Sequence, residues 1–151
     1  MAKLDIDDLI KEVLALTGGE LRRHGVVLQT ELAAGERPVL GDRVQLQQVL
    51  LNLVMNGVEA MRGVAERTRE LIVSSSLAEK DSVLVSVEDA GTGFEPDVGE
   101  RIFEPFFTTK SEGLGMGLSI CRSIVEGHRG RLWAAPRAPH GAVIRFTVPF
   151  E

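Results

Sequence analysis

The chain has 151 residues, 44% of them apolar and 26% charged, with a net charge of −5. That length suits one domain, residues 1–151, with a sizeable core, and the acidic balance makes nucleic acid an unexpected partner. Cys121 is the only cysteine, which excludes an internal disulfide and a cysteine-built zinc site. No apolar run approaches the roughly 18 residues of a membrane span, and no signal-peptide pattern opens the chain. These features suit a reducing, cytoplasmic setting without direct membrane contact.

Residues 5–20 carry an amphipathic helical pattern. Asp5 or Asp7 stands where a cap belongs, and Ile6, Leu9, Ile10, Val13, Leu14 and Leu16 form the apolar side. Gly18-Gly19 weakens the end. Val26 to Leu32 reads as a strand, and Pro38-Val39-Leu40 as a short extended piece closing at Gly41. Asp42 is placed to cap a second helix, which stops near Arg62-Gly63.

That second helix has two regular faces. Leu46, Val49, Leu50, Leu53, Val54, Val58 and Met61 make an apolar stripe, while Gln45, Gln48, Asn52, Asn56 and Glu59 recur on the other side. Asn is a poor helix former because its side chain competes for backbone groups. Two Asn one turn apart therefore need a reason. A carboxamide offers a neutral oxygen to a hard cation such as Mg²⁺ and an amide donor beside it. A plain polar helix face is the other reading that this helix alone allows.

Residues 64–70 read as a charged loop, Leu71 to Leu77 as a strand, and Glu79-Lys80-Asp81 as a turn. Ser82 to Asp89 alternates, so that Val83, Val85, Val87 and Asp89 share one face. Asp89 thus closes an inward apolar row, where a carboxylate is costly unless it meets a donor. Gly91-Thr92-Gly93 follows and permits close backbone approach to a ligand. Residues 94–112 form a long connection holding four of the six Phe, read as a lid. Gly113-Leu114-Gly115-Met116-Gly117 opens a third helix, whose stripe is Leu114, Leu118, Cys121, Val125 and His128, with Cys121 a core residue. Arg131 to Ala135 and Ala142 to Val148 are the last strands, with Pro136 and Pro139 between them. Helices and strands do not alternate strictly. The order predicts an α+β fold, a mixed and largely antiparallel sheet with helices packed on one face.

A glycine-rich helix start suits phosphate, because orphan N–H groups and the positive dipole end lie there. Residues 113–119 are neither a Walker A loop nor a dinucleotide fingerprint, and alone they read as a turn. The four motifs together are more specific. An Asn helix, Asp-Ala-Gly-Thr-Gly, Phe-Glu-Pro-Phe-Phe-Thr-Thr-Lys and Gly-Leu-Gly-Met-Gly occur in that order. From about Leu4 to Phe150 the chain resembles the ATP-binding catalytic domain of bacterial sensor histidine kinases. These belong to the wider gyrase/chaperone/histidine kinase/mismatch-repair superfamily, whose Bergerat fold is a two-layer α/β sandwich.

The resemblance implies roles for particular residues. Asn56 matches the asparagine that coordinates the Mg²⁺ bridging the ATP phosphates, and Asn52 the second asparagine of the same box. Asp89 matches the carboxylate that accepts a hydrogen bond from the adenine amino group, and Gly91 and Gly93 the turn beside it. Residues 94–112 match the ATP lid. Lys110 is the natural cation for the terminal phosphates. The phosphate-side stretch is Gly113, Leu114, Gly115, Met116, Gly117 and Leu118. Three departures stand out. Ala90 replaces the usual Asn, and Glu59 stands where some members carry a cation, leaving the phosphate charge to Lys110 or Arg62. Gly57 replaces a common Ala, expected to loosen the helix by about 0.5–1 kcal/mol.

Hydrolysing members of the superfamily carry Glu at the position of Asn52, and Asn cannot act as a general base at neutral pH. The resemblance therefore implies phosphotransfer rather than hydrolysis. Its partners would be the dimerisation and histidine phosphotransfer domain of the same kinase and a response regulator receiver domain. The domain would be cytoplasmic and monomeric in isolation, within a parent that can be membrane-anchored. None of the three histidines lies on the family's His-Glu acceptor pattern. His24 reads as an exposed loop residue, His128 as a residue of the apolar stripe near a helix C-terminus, where the dipole tolerates it, and His140 as a turn residue. Two other classes share the pocket: a non-catalytic nucleotide-sensing module and a serine kinase of the anti-sigma-factor type.

Overall fold

The computed structural model describes residues 1–79, 81–93, 103 and 117–151. The elements run β1 (Ala2–Leu4), α1 (Ile6–Arg23), β2 (Val26–Leu32), β3 (Val39–Gly41), α2 (Arg43–Ala60), β4 (Arg69–Glu79), β5 (Ser82–Asp89), α3 (Gly117–Gly127), β6 (Leu132–Pro136) and β7 (Ala142–Pro149). The main sheet has the order β2-β4-β5-β7-β6. Only β2 and β4 pair in parallel; the other neighbours are antiparallel. The expected mixed, largely antiparallel sheet with helices on one face is the observed one.

Alternation sets which face is covered. Leu71 and Val73 of β4, Val83, Val85 and Val87 of β5, and Phe146 and Val148 of β7 are buried under the helices. Ser74, Leu84 and Thr147 sit on the outer face and are half-buried. The central helix is α2, which packs on α1, α3 and β5. Its buried residues are the apolar stripe read from the sequence, with Gly57 added. Each such aliphatic side chain contributes about 1.5–3 kcal/mol on burial.

Capping starts the two longer helices. The Asp5 side chain accepts from the Asp8 amide, and the Asp42 side chain from the Gln45 amide, both at 3.0 Å. Gly18-Gly19 does not end α1, which continues to Arg23. Buried Thr17 and Leu21 hold the last turns against the core, and Thr17 Oγ1 bonds back to the Val13 carbonyl at 3.0 Å. Leu16, expected on the apolar side, is 74% exposed, because Thr17 takes the inward position.

Two elements differ from the sequence reading. β1 was not expected; it pairs antiparallel with β3 in a separate two-stranded sheet. β4 starts at Arg69, inside the stretch read as a loop, and runs to Glu79 past a register shift between Leu77 and Glu79. No described helix is long and apolar enough to cross a membrane.

Candidate functional site

α2 turns its amide row away from the core. Gln45 and Gln48 are exposed, and Asn52, Asn56 and Glu59 are half-buried. Asn52 faces α3, where its side chain hydrogen-bonds the Cys121 thiol. Cys121 is fully buried, with Sγ 3.9 Å from the Val49 carbonyl. Burial pushes its thiol up to about 11, the Asn52 hydrogen bond opposing that rise. Cys121 is thus the expected core residue, with the added role of a neighbour to Asn52.

Asp89 ends the inward row of β5 and is 4% exposed. Its Oδ1 accepts the Gly91 amide at 2.9 Å, which supplies a donor that its burial demands. Opposite it lies α2. A methyl group on Gly57 would stand 3.5 Å from Asp89 Cβ, 4.0 Å from Oδ2 and 2.7 Å from Leu71 Cδ1. Gly57 was expected only as a weak point of the helix. The structure shows the space it leaves: without a side chain there, α2 lies close against β5 at the buried carboxylate.

The turn after Asp89 depends on absent side chains. A Cβ on Gly91 would meet the Ala60 carbonyl oxygen at 2.4 Å, so only glycine lets the turn touch the end of α2. Gly93 adopts φ +73°, and Gly141, with φ +101°, approaches the Asp89 carbonyl so closely that a Cβ would stand 1.9 Å away.

Two arginines complete this turn, and the sequence reading missed both. Arg67 donates through Nε to the Ala90 carbonyl at 2.9 Å and through Nη2 to the Gly91 carbonyl at 2.7 Å. Arg137 donates to the Asp89 carbonyl at 3.1 Å. Glu66 holds Arg67 at 2.6 Å; Glu70 and Glu88 flank Arg137 at 3.2 and 3.6 Å. Nothing in a run such as Glu66-Arg67-Thr68-Arg69 distinguishes a side chain that reaches a distant turn from one in water.

Other predicted residues fall as follows. Gly117 opens α3 and is exposed; Leu118 is half-buried against the core. Lys110, Gly113, Leu114, Gly115 and Met116 lie outside the described residues, as does the lid reading of 94–112 apart from Phe103. Phe103 is buried, with the Arg122 guanidinium 4.8 Å from its ring centre. Arg62 pairs with Glu59 at 3.5 Å on the surface.

The histidines are more structural than expected. His24 is no loop residue: it caps α1, with Nδ1 2.9 Å from the Glu20 carbonyl. His128 is buried, its Nδ1 2.8 Å from the Ile124 carbonyl, and its Nε2 accepts the Asp42 amide at 3.0 Å. With Nε2 accepting, Nδ1 is the donor to the Ile124 carbonyl. The ring ties the end of α3 to the cap of α2.

Comparison with known proteins gives consistent matches. Residues 41–151 match the family described as histidine kinase-, DNA gyrase B-, and HSP90-like ATPase. Over 144 residues the chain is 47% identical to the sensor protein FixL of Bradyrhizobium diazoefficiens, covering 95% of this chain and 28% of FixL. The chain thus spans under a third of that relative's length. Among solved structures, the nucleotide-free catalytic domain of histidine kinase ThkA superposes with a TM-score of 0.87 at 35% identity, covering 99% of this chain and 95% of that one. Histidine kinase ThkA in complex with response regulator protein TrrA matches with a TM-score of 0.84 at 32% identity, over 99% of this chain and 42% of that one.

Proposed function

The chain belongs to the histidine kinase-, DNA gyrase B-, and HSP90-like ATPase family, and on that premise we propose that it is the ATP-binding catalytic domain of a sensor histidine kinase. It presents the γ-phosphoryl group of ATP to a histidine on a separate dimerisation hairpin of the same kinase. The observation that carries this reading is the meeting of α2 and β5. Asp89, buried and held by the Gly91 amide, stands against Gly57, next to Asn56.

Asp89 accepts the adenine amino group, and Gly91 and Gly93 let the backbone approach the base. The Asn56 carboxamide oxygen suits Mg²⁺, a hard cation that takes oxygen ligands together with substrate phosphates and water. Bound there, the ion supplies neutralisation of phosphate charge. Lys110 meets the terminal phosphates, and Gly113, Leu114, Gly115, Met116, Gly117 and Leu118 surround them beneath the lid of residues 94–112. Asn52 lines the same pocket but takes no proton from water. The domain therefore acts by positioning and charge neutralisation, with the acceptor histidine as nucleophile. A response regulator receiver domain is the next partner, a reading supported by the likeness to ThkA, whose solved complex contains one. A reducing cytoplasm, where Cys121 stays a thiol and ATP is abundant, is the setting.

The test supplies the cognate hairpin with labelled Mg-ATP. Acid-labile phosphate should appear on the hairpin and vanish with Asp89→Ala. ATP binding without any transfer would point to a nucleotide-sensing module. Acid-stable phosphoserine on a partner would point to a serine kinase.

A further inference from the structure

We infer that Arg67 and Arg137 are positioning residues that set the adenine preference of the site, an inference resting on the adenine reading of Asp89. The Ala90 carbonyl and the Gly91 N–H belong to one planar trans peptide and point to opposite sides of it. Arg67 Nε holds the oxygen at 2.9 Å, and the N–H on the far edge donates to Asp89 Oδ1 at 2.9 Å. Holding one edge aims the other. The guanidinium therefore fixes the donor that orients the carboxylate.

The neighbouring planes are held in the same way. Arg67 Nη2 takes the Gly91 oxygen at 2.7 Å, and Arg137 Nη1 takes the Asp89 oxygen at 3.1 Å. Three consecutive carbonyls are thus gripped from outside by two guanidinium groups, one of them forked across two oxygens. A forked, permanently charged donor set is what Arg provides and Lys does not. Both side chains are largely shielded, at 20% and 22% exposure, and both are braced by carboxylates. Shielding strengthens such charge-assisted bonds, and bonds in series polarise one another. The turn has no polar side chain of its own at its centre, because Ala90 is buried and apolar. Its order comes from outside.

The consequence is a base preference rather than general stability. Adenine carries an amino group at the position where hypoxanthine carries an oxygen. Only a correctly aimed Asp89 carboxylate rewards the first and repels the second. Loosening the turn should weaken the first more than it relieves the second.

Calorimetry with ADP and inosine diphosphate tests this on the wild-type chain, Arg67→Gln, Arg67→Lys and Arg137→Gln, with thermal unfolding measured alongside. Arg67→Gln should weaken ADP binding about tenfold and shrink the ADP-over-inosine-diphosphate ratio by about the same factor. Arg67→Lys should lie between it and wild type, since one ammonium cannot span both carbonyls. Arg137→Gln, losing a single longer bond, should show a smaller shift of the same sign. A lowered melting temperature with an unchanged ratio would mean a purely structural role and overturn the inference, as would an unchanged ADP affinity. If Arg67→Gln does not fold, the ratio in Arg67→Lys and Arg137→Gln decides. Asp89→Ala separates the two levels: if it still binds ADP as wild type does, the adenine reading fails instead.

Discussion

At the scale of single residues, neighbours decide what each polar group can do. Asn56 precedes Gly57, which packs against the buried Asp89, and the proposed roles of Asn56 and Asp89 make their losses differ in kind. Asn56→Ala should remove the magnesium-dependent part of ATP affinity and leave adenosine binding nearly unchanged. Titrations of both ligands with and without Mg²⁺ check this, and equal losses would mean that Asn56 is structural. Cys121 gives a pH prediction. Its thiol keeps its proton in the folded chain up to about 11, against 9.0 as the ordinary value, because burial disfavours the thiolate. Above 9.0 the unfolded chain releases that proton while the folded chain holds it. This contribution to stability is therefore full below 9.0 and declines through the window up to about 11. Unfolding midpoints measured across that window should fall less in Cys121→Ala than in wild type.

At the scale of elements, the close approach of the β5 turn to α2 is governed by space. Gly91 does not have a positive φ, so its requirement is room alone, whereas Gly141 combines φ +101° with contact on the Asp89 carbonyl. Gly91→Ala should cost about 1–3 kcal/mol by overpacking and weaken ADP binding, since the turn must leave the end of α2. Gly141→Ala should cost more, because strain adds to the clash. Denaturant unfolding of the two variants ranks them, and the reverse order would contradict the argument. The sequence showed that Gly91 and Gly93 bracket a turn, and it did not single out Gly141. It could not show which carbonyl Gly91 or Gly141 approaches, because Ala60 and Asp89 are brought to them only by the folded chain.

At the scale of the whole molecule, the site belongs to no one element. α2 supplies the asparagines, β5 the carboxylate, Arg67 comes from the connection before β4, and Arg137 from the turn between β6 and β7. His128 joins the end of α3 to the cap of α2, so these two helices are mechanically linked. With Asn52 in place of a hydrolytic base, the chain alone should turn over Mg-ATP very slowly. It should also leave no acid-labile phosphate on His24, His128 or His140, two of which are committed to carbonyl partners. Tethering the hairpin should speed transfer by raising its effective concentration, and Asn52→Glu should raise hydrolysis. Brisk turnover by the wild-type chain would move it toward the hydrolysing branch.

What the sequence determined by itself was short-range. The 3.6-residue stripe of α2, the period-two row ending at Asp89, the aspartate cap at Asp42 and the spacing of Gly91 and Gly93 are all local patterns. Each is set by bonds and sterics among residues close in the chain, and together they reveal the fold class and single out the asparagine and aspartate proposed for the site. Tertiary structure alone decided the rest: Thr17 rather than Leu16 facing inward, β1 pairing with β3, Cys121 against Asn52, His128 under the α2 cap, and two arginines gripping the turn after β5. Most of these join residues far apart in the chain, and exposed and engaged arginines look alike in a charged run. No local signal distinguishes them, because what commits such a side chain is an acceptor that only folding delivers.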